Sequence, residues 1–291
     1  MDSSLFVHLG PKETLVVLIY IDDLIISGNN SKAISRLKAT LQHCFPIKDL
    51  GRLKYFLGIE MVASRKGLFL NQRKYVHNLL KDAEMMDAKP APTPLDSKLQ
   101  LAINSEPLQS INHYQHLVGK LIYLTITLPD ITYTVSLVSQ FMHAPTIFHL
   151  SIVNRILCYL NGSIEHGIIM AKNGRTQIIG YSDSNWVVNA IDCKSTTVYC
   201  MFVGGNLVSW RSKKQHVIAR SSAKSEYHAM TSAACELIWL KGLLSELGFP
   251  SSIPMTLFCD NQVAMHIAAN LMFHERTKYI KVDCHFIRQQ V

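Results

Sequence analysis

Residues 15–28 read Leu15-Val16-Val17-Leu18-Ile19-Tyr20-Ile21-Asp22-Asp23-Leu24-Ile25-Ile26-Ser27-Gly28. Apolar and β-branched side chains lie on both sides of two adjacent carboxylates. Such runs favour extended backbone, and the polar break Asp22-Asp23 between them predicts a hairpin over 14–28 that ends at Gly28. Two neighbouring carboxylates at a hairpin tip repel each other. The pair is tolerable in water as a solvated turn, and it becomes useful when a divalent cation neutralises it. A buried hairpin has little need of two acids at its tip, which weights the second reading.

Outward from the hairpin, the periodicity predicts a short helix over 33–44, with Ile34, Leu37 and Leu41 on one face. A second strand pair is expected over 53–62 and 67–70, and a helix over 75–83. The run Lys89-Pro90-Ala91-Pro92-Thr93-Pro94-Leu95 carries three prolines and forbids regular structure, so it marks a linker reaching to about residue 107. Helical patterns follow at 113–127, 132–142 and 150–161, with Asp130 as an N-cap and Gly162 at a C-cap position. From residue 178 onward the expected order is a strand at 178–183, a hairpin of 196–203 and 206–210 around Gly204-Gly205, a long helix at 221–247, a strand at 255–260 and a helix at 261–270. That order, β-β-β-α-β-α, predicts a mixed sheet with helices packed against it.

Among the 291 residues, 48% are hydrophobic and 17% charged, which rules out wholesale disorder. The formal charge of +8 suits a polyanionic partner, and it equally describes a merely basic surface. The seven cysteines, at 44, 158, 193, 200, 235, 259 and 284, include no Cys-x-x-Cys pair. This argues against a disulfide framework or a structural zinc site and fits a reducing compartment. The apolar run 15–21 is too short to span a bilayer, and residues 1–6 have no signal-peptide character. The sequence therefore reads as a soluble intracellular chain, cytoplasmic or nuclear, with no membrane partner.

A second set of acids is spread over 183–283. Asp183 closes a strand. Glu226 heads the long helix, whose apolar stripe continues through Met230, Ala233, Leu237, Leu240, Leu244 and Leu247, so this glutamate points toward the sheet. Asp260 closes the strand Leu257-Phe258-Cys259-Asp260. Acids at strand ends and at a helix start can converge, and three or four clustered carboxylates hold two Mg²⁺ ions about 4 Å apart in two-metal nucleases. Each acid alone is equally a surface charge or a helix cap. The stretch Ser209-Trp210-Arg211-Ser212-Lys213-Lys214-Gln215-His216 combines cations with an aromatic between the last hairpin strand and the long helix. It reads either as a solvated basic loop or as a phosphate-contacting loop, with Trp210, Arg211, Lys213 and Lys214 as the nucleic-acid-binding residues.

These residues in this order resemble the C-terminal part of the Pol polyprotein of copia-type retrotransposons, and the likeness covers nearly the whole chain. Tyr20-Ile21-Asp22-Asp23 looks like the polymerase motif Tyr-x-Asp-Asp. The segments 53–60, 89–95 and 117–124 are similar to the family's regions beyond the palm. Tyr181-Ser182-Asp183, Ser225-Glu226-Tyr227-His228-Ala229 and Cys259-Asp260-Asn261-Gln262 look like the acidic motifs of its ribonuclease H domain. The resemblance implies an α/β (α+β) chain in three parts. Residues 1–90 would be a partial reverse transcriptase palm and the segment after it, 91–175 the Pro-rich linker and a helical connection, and 176–291 a ribonuclease H-like mixed sheet with flanking helices. It also implies hydrolysis of the RNA strand of RNA–DNA hybrids with two Mg²⁺ ions, or Mn²⁺ in their place. Asp183, Glu226, Asp260 and Asp283 would be the metal ligands, with His274 in the same catalytic motif and Glu275 as the other choice for the fourth acid. Tyr20, Asp22 and Asp23 would be a polymerase-motif remnant, the two aspartates able to bind metal.

Departures from the family pattern qualify these expectations. Only nineteen residues precede Tyr20, and the family's polymerase needs a further aspartate upstream, so no primer extension by this chain alone is expected. Val198 stands where the family has a glycine, which would strain it were that glycine at positive φ. Lys281, two residues from Asp283, would weaken metal binding by about a kcal/mol or more at a partly buried site. The other reading is a non-catalytic relic that folds and binds nucleic acid. A DDE integrase fits poorly, because the acids run Asp, Glu, Asp and no His/Cys zinc module precedes them.

Overall fold

The computed structural model describes residues 4–96, 105–185 and 194–269. It has the expected α/β character, divided into two compact units: residues 1–54 with 238–254, and residues 55–237 with 255–291.

The first unit is built on the opening hairpin. Strands β2 (Thr14–Tyr20) and β3 (Asp23–Gly28) pair antiparallel from Leu15↔Gly28 to Tyr20↔Asp23. Because Asp23 is already paired, the turn is Ile21-Asp22 rather than Asp22-Asp23. A strand the sequence reading did not anticipate, β1 (Leu5–Leu9), adds to the other edge of β2. Helix α1 (Ser31–Cys44) follows, started by Asn30, whose side-chain oxygen accepts from the Lys32 and Ala33 amides at 3.0 and 3.3 Å.

The second unit holds two four-stranded sheets and most of the buried core. One sheet is antiparallel, in the order β4 (Tyr55–Phe56), β5 (Ile59–Ala63), β6 (Gly67–Asn71), β7 (Gly167–Ala171). Helices α2 (Arg73–Asp82), α3 (Ile111–Leu124), α4 (Thr132–Ser139) and α5 (Ile147–Asn161) pack around Leu80, Leu121, Leu124, Ile156 and Leu160, all fully buried. The buried Tyr114 hydroxyl donates to the Val138 carbonyl at 2.7 Å, so even the polar tip of that side chain is satisfied.

Several ends differ from the periodicity. Helix α3 stops at Leu124, and α5 begins three residues early because Thr146 and His149 form a reciprocal cap. Asp130 lies in a 3₁₀ turn and does not cap α4; its carboxylate accepts the Tyr159 hydroxyl instead. Gly162 caps α5 in right-handed conformation, φ −84, so no left-handed glycine is needed there. The Pro-rich run is irregular and held against α5, where Arg155 Nε donates to the Thr93 carbonyl and the Ala91 amide to Cys158 O, each at 3.2 Å.

The second sheet has the order β10 (Asn206–Lys214), β9 (Thr196–Val203), β8 (Ile178–Asn185), β11 (Thr256–Phe258). The first three strands are antiparallel. After the long helix α6 (Ser222–Glu246) the chain returns as β11, parallel to β8, and then enters α7 (Gln262–Ala269). This is the mixed sheet expected from the element order.

Candidate functional site

Strand β8 alternates strictly. Ser182 and Ser184 are buried beneath α6, whereas Tyr181 and Asp183 face outward. Ser184 meets α6 through its hydroxyl, hydrogen-bonded to Ser225. That contact sets the helix so that the next residue, Glu226, reaches the end of β8. The Ser184 amide is shared: it donates to Asp183 Oδ1 at 2.7 Å and to Glu226 Oε1 at 3.1 Å. Two carboxylates from different elements thus meet at one N–H.

Asp260 arrives from the parallel partner. The register Phe258↔Tyr181 brings the end of β11 beside the end of β8. Beyond Phe258 strand alternation no longer applies, and both Cys259 and Asp260 turn toward Glu226. One donor atom each from Glu226, Cys259 and Asp260 lies within 4.8 Å of the others, and Cys259 Sγ sits 4.0 Å from Glu226 Oε2. Asn261 starts α7, its side-chain oxygen accepting from the Ala264 amide at 2.9 Å. Asp260 therefore also feels the positive end of a helix.

Glu226 is only 5% exposed. Burial pushes its pKa up to about 7, the Asp183 charge and then that of Asp260 add to the rise, and the Ser184 N–H opposes it. A buried acid facing two others is a group that a cation would stabilise, and oxygen donors suit a hard divalent ion such as Mg²⁺. The Cys259 thiol is also pushed up, chiefly by burial and further by the three carboxylates. Asp183, Tyr181, Val198, Cys200, Phe258 and Asp260 line an open cleft of about 390 Å³. In it the Tyr181 and Phe258 rings stack with centroids 5.0 Å apart.

The structure therefore brings Asp183, Glu226 and Asp260 together. His274 and Asp283, together with Glu275 and Lys281, lie outside the described residues. Tyr20, Asp22 and Asp23 lie in the other unit, at an exposed hairpin end. Val198 is not strained: it is a regular β9 residue directly opposite Asp183, and the non-glycine residues described at positive φ are Ile21, Leu57 and Glu84. The basic stretch is not a loop, because residues 209–214 belong to the edge strand β10. Trp210 is partly buried and its indole N–H donates to the Thr125 carbonyl at 2.9 Å, while Lys214 reaches Gln140 Oε1 at 2.9 Å. Arg211 and Lys213 are the exposed cations of the four. Sequence reasoning passed over Cys259 and the Ser184 amide; the place of the cysteine beside Asp260 at a strand end was the available signal.

What the fold and site define is an α/β chain with a mixed sheet carrying convergent acids at its strand ends. Residues 1–97 match the family of reverse transcriptases (RNA-dependent DNA polymerases). The chain is 40% identical over its full length to the retrovirus-related Pol polyprotein from transposon RE1 of Arabidopsis thaliana, of which it covers 20%. It is 35% identical over 98% of its length to the Pol polyprotein from transposon TNT 1-94 of Nicotiana tabacum, covering 22% of that protein. It is also 38% identical over 77% of its length to the uncharacterized mitochondrial protein AtMg00810 of Arabidopsis thaliana, covering 94% of it. The chain belongs to the copia-type retrotransposon Pol family, and it spans about a fifth of the length of the Pol polyproteins it matches. No helix among the described residues is long and apolar enough to cross a membrane.

Proposed function

We propose that the second unit carries a ribonuclease H-like site that hydrolyses the RNA strand of RNA–DNA hybrids. The observation that carries this reading is the shared Ser184 amide, which joins Asp183 to Glu226, while a donor atom of Asp260 lies within 4.8 Å of one on Glu226. The sheet supports it: three antiparallel strands, a helix, and a fourth parallel strand put one acid on β8, one on α6 and one just past β11. Asp183, Glu226 and Asp260 would hold two Mg²⁺ ions, with Mn²⁺ able to replace them. Bound there, the ions would supply activation of the attacking water and charge stabilisation at the leaving oxygen.

The chain's own groups do the positioning. Ser184 fixes the orientation of two acids through one N–H. Burial and the like charges of Asp183 and Asp260 both disfavour ionised Glu226, so a cation bound among the three acids would offset that cost. Cys259 remains a neutral thiol when no metal is bound, adding no third ligand charge to Glu226 and Asp260. Arg211 and Lys213, exposed on the edge strand, would be cations that contact phosphates.

Purified chain with Mg²⁺ is expected to cut the RNA of a labelled hybrid, and Asp183→Asn to reduce the rate by 10²-fold or more. Binding of hybrid with no cleavage under Mg²⁺ or Mn²⁺ would replace this reading with that of a non-catalytic nucleic-acid-binding element.

A further inference from the structure

The donor set around Glu226 contains more than a hard-cation site requires. Glu226 and Asp260 supply oxygens, and Cys259 supplies a sulfur within the same 4.8 Å limit. The sulfur stands 4.0 Å from Glu226 Oε2, the oxygen not turned toward Ser184. Tetrahedral zinc, with bonds of about 2.3 Å to sulfur and about 2.0 Å to oxygen, separates its ligand atoms by roughly 3.5 Å. Reaching that geometry takes side-chain adjustments of about 1 Å, at residues two of which follow the last strand and are not held by sheet pairing. Mg²⁺ gains little from sulfur, whereas zinc, cadmium and cobalt bind thiolate strongly.

We propose that Glu226, Cys259 and Asp260 form a binding site for a thiophilic divalent cation, zinc foremost, and that its occupation blocks the hydrolysis proposed above. Binding releases the thiol proton to solvent and ties the two acids to one soft ion. Cys259 and Asp260 also line the cleft that Asp183 lines. The binding itself stands on the donor geometry, and only the inhibitory consequence rests on the nuclease reading.

The test uses the full chain in metal-free buffer titrated with Co²⁺, whose thiolate complexes show sulfur-to-metal charge-transfer absorption in the near ultraviolet. The wild-type chain is expected to show that band and to lose it on addition of Zn²⁺. Cys259→Ser is expected to abolish it and to weaken Zn²⁺ binding at least about tenfold. Cys235→Ser, which alters an exposed thiol on α6, is expected to keep it. Asp260→Asn supplies a second perturbation of the same site and is expected to weaken Co²⁺ binding while leaving a sulfur band at higher metal. A wild-type chain without the band, or a band that survives in Cys259→Ser, overturns the proposal. Hybrid cleavage in Mg²⁺ that is indifferent to micromolar Zn²⁺ overturns the inhibition and leaves the nuclease reading intact. The cobalt band with no cleavage in any metal does the reverse.

Discussion

Ile21 carries φ +49 and is 81% exposed. A β-branched side chain in the left-handed region meets its own carbonyl, at a cost of about 1–2 kcal/mol, whereas asparagine tolerates the same backbone. Ile21→Asn is therefore expected to stabilise the β2–β3 hairpin by about 1 kcal/mol, read as a rise in the urea midpoint; an unchanged or lower midpoint would show that the isoleucine side chain is held by something more than strain. Glu226 gives a prediction of opposite character. Its pKa rises from 4.5 to about 7 on folding, so the folded chain binds more protons than the unfolded one between those values. Without divalent cation, stability should fall as pH rises from about 4.5 to 7 and then level off. The loss is up to about 3 kcal/mol, or about 5 °C in melting temperature for a chain of this size. Glu226→Gln should flatten that slope and melt higher than wild type at pH 8 in EDTA. A wild-type melting curve indifferent to pH over this range would mean that water reaches the buried carboxylate.

At the level of elements, short-range chemistry was legible and long-range pairing was not. The hairpin over 14–28 and the order β8-β9-β10-α6-β11 followed from local pattern, because adjacent strands joined by tight turns announce themselves. Strand β7 did not: it pairs with β6 across about a hundred residues, from Gly67↔Ala171 to Asn71↔Gly167, and nothing in its own five residues names that partner. The strand expected over 206–210 runs on to Lys214, because the charges of 211–214 hide the alternation that sets Trp210 and Lys214 apart from Arg211 and Lys213. At the site, the three acids were visible from their positions at element ends. The Cys259 contact depends on the parallel β8–β11 register, which only the fold supplies. One turn can be tested directly. Leu57 and Gly58, both at positive φ, form the two-residue connection between β4 and β5, and a Cβ on Gly58 would fall 2.8 Å from the Tyr123 hydroxyl. Gly58→Ala is expected to destabilise the second unit by about 1–3 kcal/mol, and Gly58→Ala with Tyr123→Phe to recover part of it, since removing the hydroxyl relieves the contact but not the backbone strain.

For the whole molecule the decisive quantity is charge. The sequence has 29 Lys and Arg against 21 Asp and Glu, a formal charge of +8, and the site gathers three of those acids at one point. A polyanion approaching that site meets repulsion from Asp183, Glu226 and Asp260 unless cations neutralise them, while basic residues elsewhere attract it. Two separable dependences follow for the hybrid partner proposed here. Affinity should fall linearly in logarithmic salt as counterions are released, and Lys213→Ala or Arg211→Ala should each lower the slope by about 1 if its cation contacts a phosphate. Affinity at fixed salt should rise when Mg²⁺ is added to wild type, and should rise less in a chain carrying Asp183→Asn and Asp260→Asn, where part of the repulsion is already gone. Trp210→Phe sorts the two kinds of residue on β10: its indole N–H serves the Thr125 carbonyl, so the substitution should lower stability by about 1 kcal/mol and leave the salt slope unchanged. A slope that moved with Trp210 but not with Arg211 or Lys213 would place the nucleic acid on the opposite face of the edge strand.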